Sequence, residues 1–355
     1  MTDPRPTDAP QPGWYEQSSP PPAPAPGYPA AASHANGHAA DVERLVANLE
    51  RVVRGKTDVL RLVITCLLAE GHVLVEDVPG TGKTTIARAL AASVEGVWSR
   101  IQFTPDLLPS DVTGSEVVDL TTNDFVFRAG PIFANIVLAD EINRASPKTQ
   151  SALLEVMEEH HVTYNGRTHA VPRPFLVIAT QNPIEIGGTY RLPEAQLDRF
   201  LMRIDVGYPS RDAEVDILGG VHDGTAVDAL SPVINTIRLQ EMIVAASRVH
   251  VDEAVKQYIV DLAAATRPGP DRRHGFAVQL GVSPRGSVAL LRAARASALA
   301  AQRDHVLPED VKRLAVPVLA HRIVLTPEAA LGDRTPVQVM EEVVRTVPVP
   351  RVTTA

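Results

Sequence analysis

His72-Val73-Leu74-Val75-Glu76-Asp77-Val78-Pro79-Gly80-Thr81-Gly82-Lys83-Thr84-Thr85-Ile86-Ala87-Arg88-Ala89-Leu90 is the stretch from which the fold is read. The β-branched run at its start has the character of a buried parallel strand, and Lys83 to Leu90 carries helical spacing of apolar residues. Between them lies a tight, glycine-containing turn. Strand, loop and helix in that order are the setting a phosphate-binding loop needs. Glycines allow several backbone N–H groups to converge on phosphate oxygens, and the helix start adds a favourable dipole. Pro79, Gly80, Thr81, Gly82, Lys83, Thr84 and Thr85 are the expected nucleotide contacts. Lys83 is placed for the β- and γ-phosphates, and the Thr84 hydroxyl for Mg²⁺. One position departs from G-x-x-x-x-G-K-[ST]: Asp77 stands where the pattern has glycine.

A second catalytic segment follows the loop. Ile132 to Ala139 runs nearly apolar into Asp140-Glu141, a central strand ending in two carboxylates. Asp140 is expected in the Mg²⁺ shell, and Glu141 is expected to polarise the water that attacks the γ-phosphate. Phe175 to Ala179 reads as another buried strand, ending at Thr180-Gln181-Asn182-Pro183, where Asn182 is the candidate to bond the water or the γ-phosphate. An Asn-Pro pair is also a turn former. Upstream, Val52-Val53-Arg54-Gly55-Lys56 separates two helices. It is read either as a lining for the adenine, through Val53 and Gly55, or as a plain connection.

The remaining chain falls into four parts. Residues 1–40 are Pro-rich with scattered apolar residues and are expected to be disordered, with Trp14, Tyr15 and Tyr28 as a possible docking handle. Residues 41–209 hold the α/β pattern: helices from Asp41 and from Thr57, a strand near Arg100–Thr104, hairpins at 114–131 and 162–171, and a Ser146-capped helix opened by Pro147. From 210 to 345 the pattern is purely helical, with Ser283-Pro284 and Pro308-Glu309-Asp310 as helix starts, and 346–355 is a short tail. The expected fold class is therefore α/β, a P-loop αβα domain on a parallel sheet followed by a smaller all-α domain.

The net charge of −8 argues against general affinity for nucleic acid. The single cysteine, Cys66, lies in an apolar run and reads as a core residue in a reducing compartment. The polar N-terminal region shows no apolar signal segment, and no apolar run approaches the ~20 residues needed to cross a bilayer. A cytoplasmic protein is expected.

These motifs together resemble the MoxR family of AAA+ ATPases over roughly Asp41 to Val344. The resemblance is carried by Glu76–Thr84, Phe103–Asp111, Gly130-Pro131-Ile132-Phe133, Ala139–Ala145, Ala179–Pro183, Leu192–Phe200 and Ser283-Pro284-Arg285-Gly286, in the family's order. It implies Mg²⁺-dependent ATP hydrolysis by a ring, a homohexamer of this chain. Asn182 then corresponds to sensor 1, and Arg285 to sensor 2, a lid arginine that touches the γ-phosphate. Arg199 corresponds to the arginine finger that completes a neighbour's site, with Arg144, Arg191 and Arg203 as competitors. The hairpin at 114–131 resembles the helix-2 insert, and both hairpins are expected to face the pore. The resemblance further implies a chaperone-like action on a protein client with a partner carrying a von Willebrand factor A domain. The alternatives are a nucleic-acid motor, for which no helix-turn-helix or zinc-ligand set is found, a chelatase-type ATPase subunit, and a nucleotide-switched scaffold, which the presence of Lys83, Glu141 and Asn182 disfavours.

Overall fold

The computed structural model describes residues 32–77, 80–121, 123–182, 190–220, 227–269 and 277–350. The expected tail over residues 1–31, the nucleotide contact Pro79 and residues 351–355 lie outside the described residues.

Two helices, α1 (Ala32–Glu50) and α2 (Thr57–Leu68), precede β1 (Val73–Glu76), α3 (Lys83–Ser93), β2 (Trp98–Gln102) and α4 (Pro109–Thr113). There follow the hairpin β3 (Gly114–Asp119) and β4 (Asp124–Ala129), β5 (Ile136–Asp140), α5 (Pro147–Glu159), and the hairpin β6 (His161–Tyr164) and β7 (Arg167–Ala170). Next come β8 (Leu176–Gln181), α6 (Glu194–Leu197), β9 (Met202–Ile204), α7 (Arg211–Gly220), α8 (Thr236–Ser247) and α9 (Glu253–Ala265). The chain closes with β10 (Val278–Leu280), α10 (Pro284–Ala300), α11 (Pro308–Leu319), β11 (Val324–Leu325), α12 (Pro327–Leu331) and α13 (Pro336–Thr346).

Five strands form one sheet in the order β2-β5-β8-β1-β9, and every pairing in it is parallel. Residues alternate between its two faces, as the pleat requires. Ile136, Leu138, Leu176, Ile178, Val73 and Val75 pack with α1, α2, α3 and the C-terminal helices. Val137, Ala139, Val177, Ala179 and Leu74 pack on the other side with α5 residues such as Leu153, Val156 and Met157. Both faces are therefore buried, which explains why these strands read as continuous apolar runs rather than alternating ones. Since parallel strands share one polarity, the phosphate loop after β1, Asp140-Glu141 after β5 and Asn182 after β8 all emerge at one edge.

Four differences from the sequence reading have local causes. The first helix begins at Ala32, not Asp41, and His38 and Ala39 within it are buried. The short strand β9 adds an edge to β1, with Met202 and Ile204 buried and Arg203 between them. The C-terminal part is not purely helical, since β10 and β11 pair antiparallel. Finally, the Pro109-initiated turn is helical, with Asp111 reaching back to the Leu108 N–H at 2.9 Å. The caps expected at Ser146 and Ser283 are present: Ser146 Oγ accepts from Thr149 N at 3.3 Å and Ser283 Oγ from Gly286 N at 3.4 Å.

Candidate nucleotide site

The loop turns on Gly80 and Gly82, with φ of +86° and +88°, values that side chains other than hydrogen rarely tolerate. A Cβ at either position would meet nothing within 4 Å, so the concave side of the loop is open. Gly82 is the N-cap of α3 and supplies no side-chain cap, which leaves the first N–H groups of that helix oriented toward the loop. Lys83 Nζ donates to the Asp77 carbonyl at 3.0 Å, so the lysine spans the loop it serves. These features fit a polyphosphate. Thr84 and Thr85 occupy the first turn of α3 beside Lys83.

Asp77 acquires a function here that sequence reasoning did not find. Its Oδ2 accepts from Gly207 N at 2.6 Å, tying the base of the loop to the segment after β9. That segment also meets the 52–56 turn: Lys56 Nζ donates to the Tyr208 carbonyl at 2.7 Å, and a Cβ at Gly55 would come within 3.0 Å of Ala213 Cβ. Val53 is buried next to this junction. The 52–56 turn is thus joined, through 207–213, to the loop rather than serving only as a connection.

On the neighbouring strands the carboxylates are held by a network. Thr180, wholly buried, donates to Asp140 Oδ1 at 2.7 Å and accepts from Glu141 N at 2.8 Å. Arg100 lies 2.6 Å from Asp140 Oδ2. Glu141 has a left-handed backbone, φ +56°, which turns its side chain away from the strand line, and its Oε2 accepts from Gln102 Nε2 and Arg144 Nη1, both at 3.0 Å. Asn182 is buried at the end of β8, one residue after Gln181, whose carbonyl accepts from Asp77 N at 3.3 Å. The strand order places it between the carboxylate pair and the loop. Thr84 and Asp140 offer hard oxygen donors of the kind Mg²⁺ takes, one or two from the protein beside those of the phosphates.

Arg100, Gln102 and Thr180 were not singled out from the sequence. The signal was register: Gln102 pairs with Asp140 only once β2 is known to lie beside β5.

The arginines separate into two groups. Arg144 is paired with Glu141, Arg203 pairs with Glu76 at 3.0 Å, and Arg191 is exposed. Arg199 and Arg285 go elsewhere. Arg199 Nη1 donates to the Leu154 carbonyl at 2.6 Å and Nη2 stands 3.3 Å from Glu158, while Arg285 Nη2 donates to Glu158 at 2.9 Å. Glu158 follows Met157, whose carbonyl accepts from His72 Nε2 at 3.0 Å, just ahead of β1. The pair therefore lies at the edge of the sheet opposite the phosphate loop. Along α5, Pro147 to Glu158 is a rise of about 16 Å at ~1.5 Å per residue, longer than an arginine side chain. In this structure the Arg285 guanidinium is engaged by Glu158 rather than by the loop of its own chain.

A separate cavity of about 730 Å³ is lined by Val42, Leu62, Ile204, Leu314 and Pro317, and its arginines already have partners, Arg61 with Glu43 and Arg203 with Glu76.

The family model for ATPases associated with various cellular activities matches residues 72–202, and the AAA lid domain model matches residues 271–343. Chaperone MoxR1 of Mycobacterium tuberculosis is 44% identical over 336 residues, covering 92% of this chain and 88% of its own. The chain belongs to the MoxR family of AAA+ ATPases. Protein MoxR of Paracoccus denitrificans is 36% identical over 79% of this MoxR-family chain and 88% of its own length. The uncharacterized protein YeaC of Bacillus subtilis is 50% identical over 86% of the chain and 94% of its own. A crystal structure from Cytophaga hutchinsonii, described as a candidate ATPase, superposes with a TM-score of 0.83 at 34% identity, over 90% of this chain and 98% of that one. As a MoxR-family AAA+ member the chain is an ATPase, with a helical lid after its parallel-sheet domain. Among the described residues no helix is long and apolar enough to cross a membrane.

Proposed function

We propose that the chain is a ring-forming, Mg²⁺-dependent ATPase that uses hydrolysis to remodel or mature a protein client, acting as a homohexamer in the cytoplasm with a von Willebrand factor A domain partner. The α/β part ends near residue 209 and the lid runs from 210 to 345. The name of the Mycobacterium relative, a chaperone, supports the client-directed reading.

Backbone donors from Gly80 to Thr85 and the Lys83 ammonium hold the phosphates, and Val53 and Gly55 border the base. Thr84 and Asp140 hold Mg²⁺, which supplies charge neutralisation at the β- and γ-phosphates when bound. Glu141 orients the attacking water and draws its proton, once released from Gln102 and Arg144, and Asn182 fixes the water or the γ-phosphate from the adjacent strand. Among the described residues the same-subunit arginines at the site, Arg100 and Arg144, are paired with Asp140 and Glu141, so the arginine that such a transition state uses comes from a neighbour.

The observation that carries the ring is the shared position of Arg199 and Arg285 on Glu158, across the sheet from their own loop. Both arginines can serve hydrolysis only at a neighbour's nucleotide. Two measurements test this: the specific ATPase activity should rise with protein concentration, and Arg285→Ala should bind ATP normally while hydrolysing at least ~10-fold more slowly. Activity per subunit that is constant down to a monomeric concentration would refute the reading.

A further inference from the structure

Arg322 ends the 3-10 turn that follows α11, and its side chain is only 3% exposed. Its Nε stands 2.7 Å from Asp198 Oδ1, a charge contact rather than an aligned hydrogen bond. Nη2 donates to the carbonyls of Asp198 at 3.2 Å and Phe200 at 2.8 Å, the two residues flanking Arg199. Nη1 donates to the Val318 carbonyl and to His321 Nε2, both at 2.6 Å. Burial draws the guanidinium pKa down to about 10, with Asp198 opposing the fall, so the group stays charged at neutral pH.

The same cluster reaches Arg285. Asp198 Oδ2 accepts from Ser283 Oγ at 3.2 Å, and Ser283 is the N-cap of α10, two residues before Arg285. Gly286 follows, and a Cβ there would approach Arg322 Cδ to 2.9 Å and Nε to 3.2 Å. A glycine inside a helix is unfavourable relative to alanine; here it lets the Arg322 stem pass. A buried ion pair is by itself weak evidence for stability, since apolar replacements often do as well. The placement of this one is specific, because its fork grips the backbone on both sides of Arg199 while its counter-ion holds the cap ahead of Arg285.

We propose that Arg322 is a positioning residue for hydrolysis: it locks the Asp198–Phe200 segment to the start of α10 and so sets where Arg199 and Arg285 project. The proposal rests on the reading that those arginines act on a neighbouring subunit. Its effect falls on the transition state and not on nucleotide binding, because Arg322 is remote from the loop of its own subunit.

The test uses the full chain with Arg322→Met, Arg322→Lys, Arg199→Ala and the Arg199→Ala/Arg322→Met double variant, measuring ATPase kcat and KM, melting temperature and assembly by light scattering. A displacement of about 1 Å can cost ~10²-fold in rate, so Arg322→Met should lower kcat by at least ~10-fold with KM within about two-fold and assembly retained. The lysine, which keeps the charge at Asp198, should restore part of the rate. The double variant should be slower than Arg199→Ala by less than the factor that Arg322→Met costs the wild type, because Arg322 acts through Arg199 as well as through Arg285. Wild-type kcat in Arg322→Met, or a double variant slowed by the product of the single effects, overturns the proposal. Should Arg322→Met fail to fold, Asp198→Asn removes the counter-ion from a more exposed position; it should show the same loss in kcat, and wild-type kcat there overturns the proposal equally. Wild-type kcat in Arg199→Ala would instead overturn the cross-subunit reading, and the proposal with it.

Discussion

Replacing Asp77 with glycine would restore the phosphate-loop pattern and, on this structure, harm the protein. The Asp77 carboxylate accepts from Gly207 N at 2.6 Å, and its backbone carbonyl receives Lys83 Nζ. A hydrogen bond to a charged group contributes about 1.5–3 kcal/mol, and partial exposure at Asp77 places this one toward the lower end. Glycine adds roughly 0.5–1 kcal/mol through the freedom it gives the unfolded chain. The expected loss is therefore about 2–3 kcal/mol, which at ~2.1 cal/mol/K per residue lowers the melting temperature by roughly 3–4 °C. Asp77→Asn keeps an acceptor and should lose about half as much. Calorimetric melting without nucleotide and titration calorimetry with ATP give the two readouts, and affinity should fall because the lysine's anchoring carbonyl is no longer held in place. An Asp77→Gly protein that melts and binds ATP like the wild type would refute the clamp and leave Asp77 as a tolerated departure from the pattern.

Lys83→Ala should abolish nucleotide binding, and retained micromolar affinity by calorimetry would contradict the assignment of the loop. Thr180→Val, which removes the bond to Asp140 and to the Glu141 N–H, should bind ATP but turn over roughly ten-fold more slowly, since a lost transition-state hydrogen bond of ~1.4 kcal/mol is a factor of ten; unchanged kcat would show that the carboxylates are positioned without it. His72 donates from Nε2 to Met157 and accepts at Nδ1 from Val177 N at 3.0 Å, so its buried ring fits only the neutral form, and burial lowers its pKa to about 4. The unfolded chain binds the proton first, so stability is full above pH ~6.5 and falls by about 3 kcal/mol as pH drops toward 4. By NMR the His72 ring should show no titration above pH 5, and a midpoint near 6.5 would contradict this.

What was legible in the sequence follows from the range of the interactions. The loop from Gly80 to Thr85, the caps at Ser146 and Ser283 and the Asp140-Glu141 strand end are local devices whose residue types state their geometry. The strand β9 was hidden because three residues with Arg203 at the centre carry too little apolar signal, and β10 is as short, β11 shorter, and the two are separated by whole helices. The start of α1 was missed because Gly37, Asn36 and His34 are poor helix formers, and buried His38 and Ala39 override that preference. The position of Arg285 could not be read at all. It depends on Glu158, Asp198, Ser283 and Arg322 meeting across the fold, and no spacing in the chain encodes that meeting.

The central claim is that hydrolysis is completed across a subunit boundary, and mixing two inactive variants tests it most directly. Glu141→Gln keeps its Arg199 but lacks the charge that polarises water, while Arg199→Ala keeps Glu141 but offers no arginine to its neighbour. Mixed rings contain some interfaces with an intact Glu141 facing an intact Arg199. With subunit exchange followed by fluorescence transfer between labelled chains, ATPase activity should return well above that of either variant alone. Confirmed exchange with activity still at background would contradict the account.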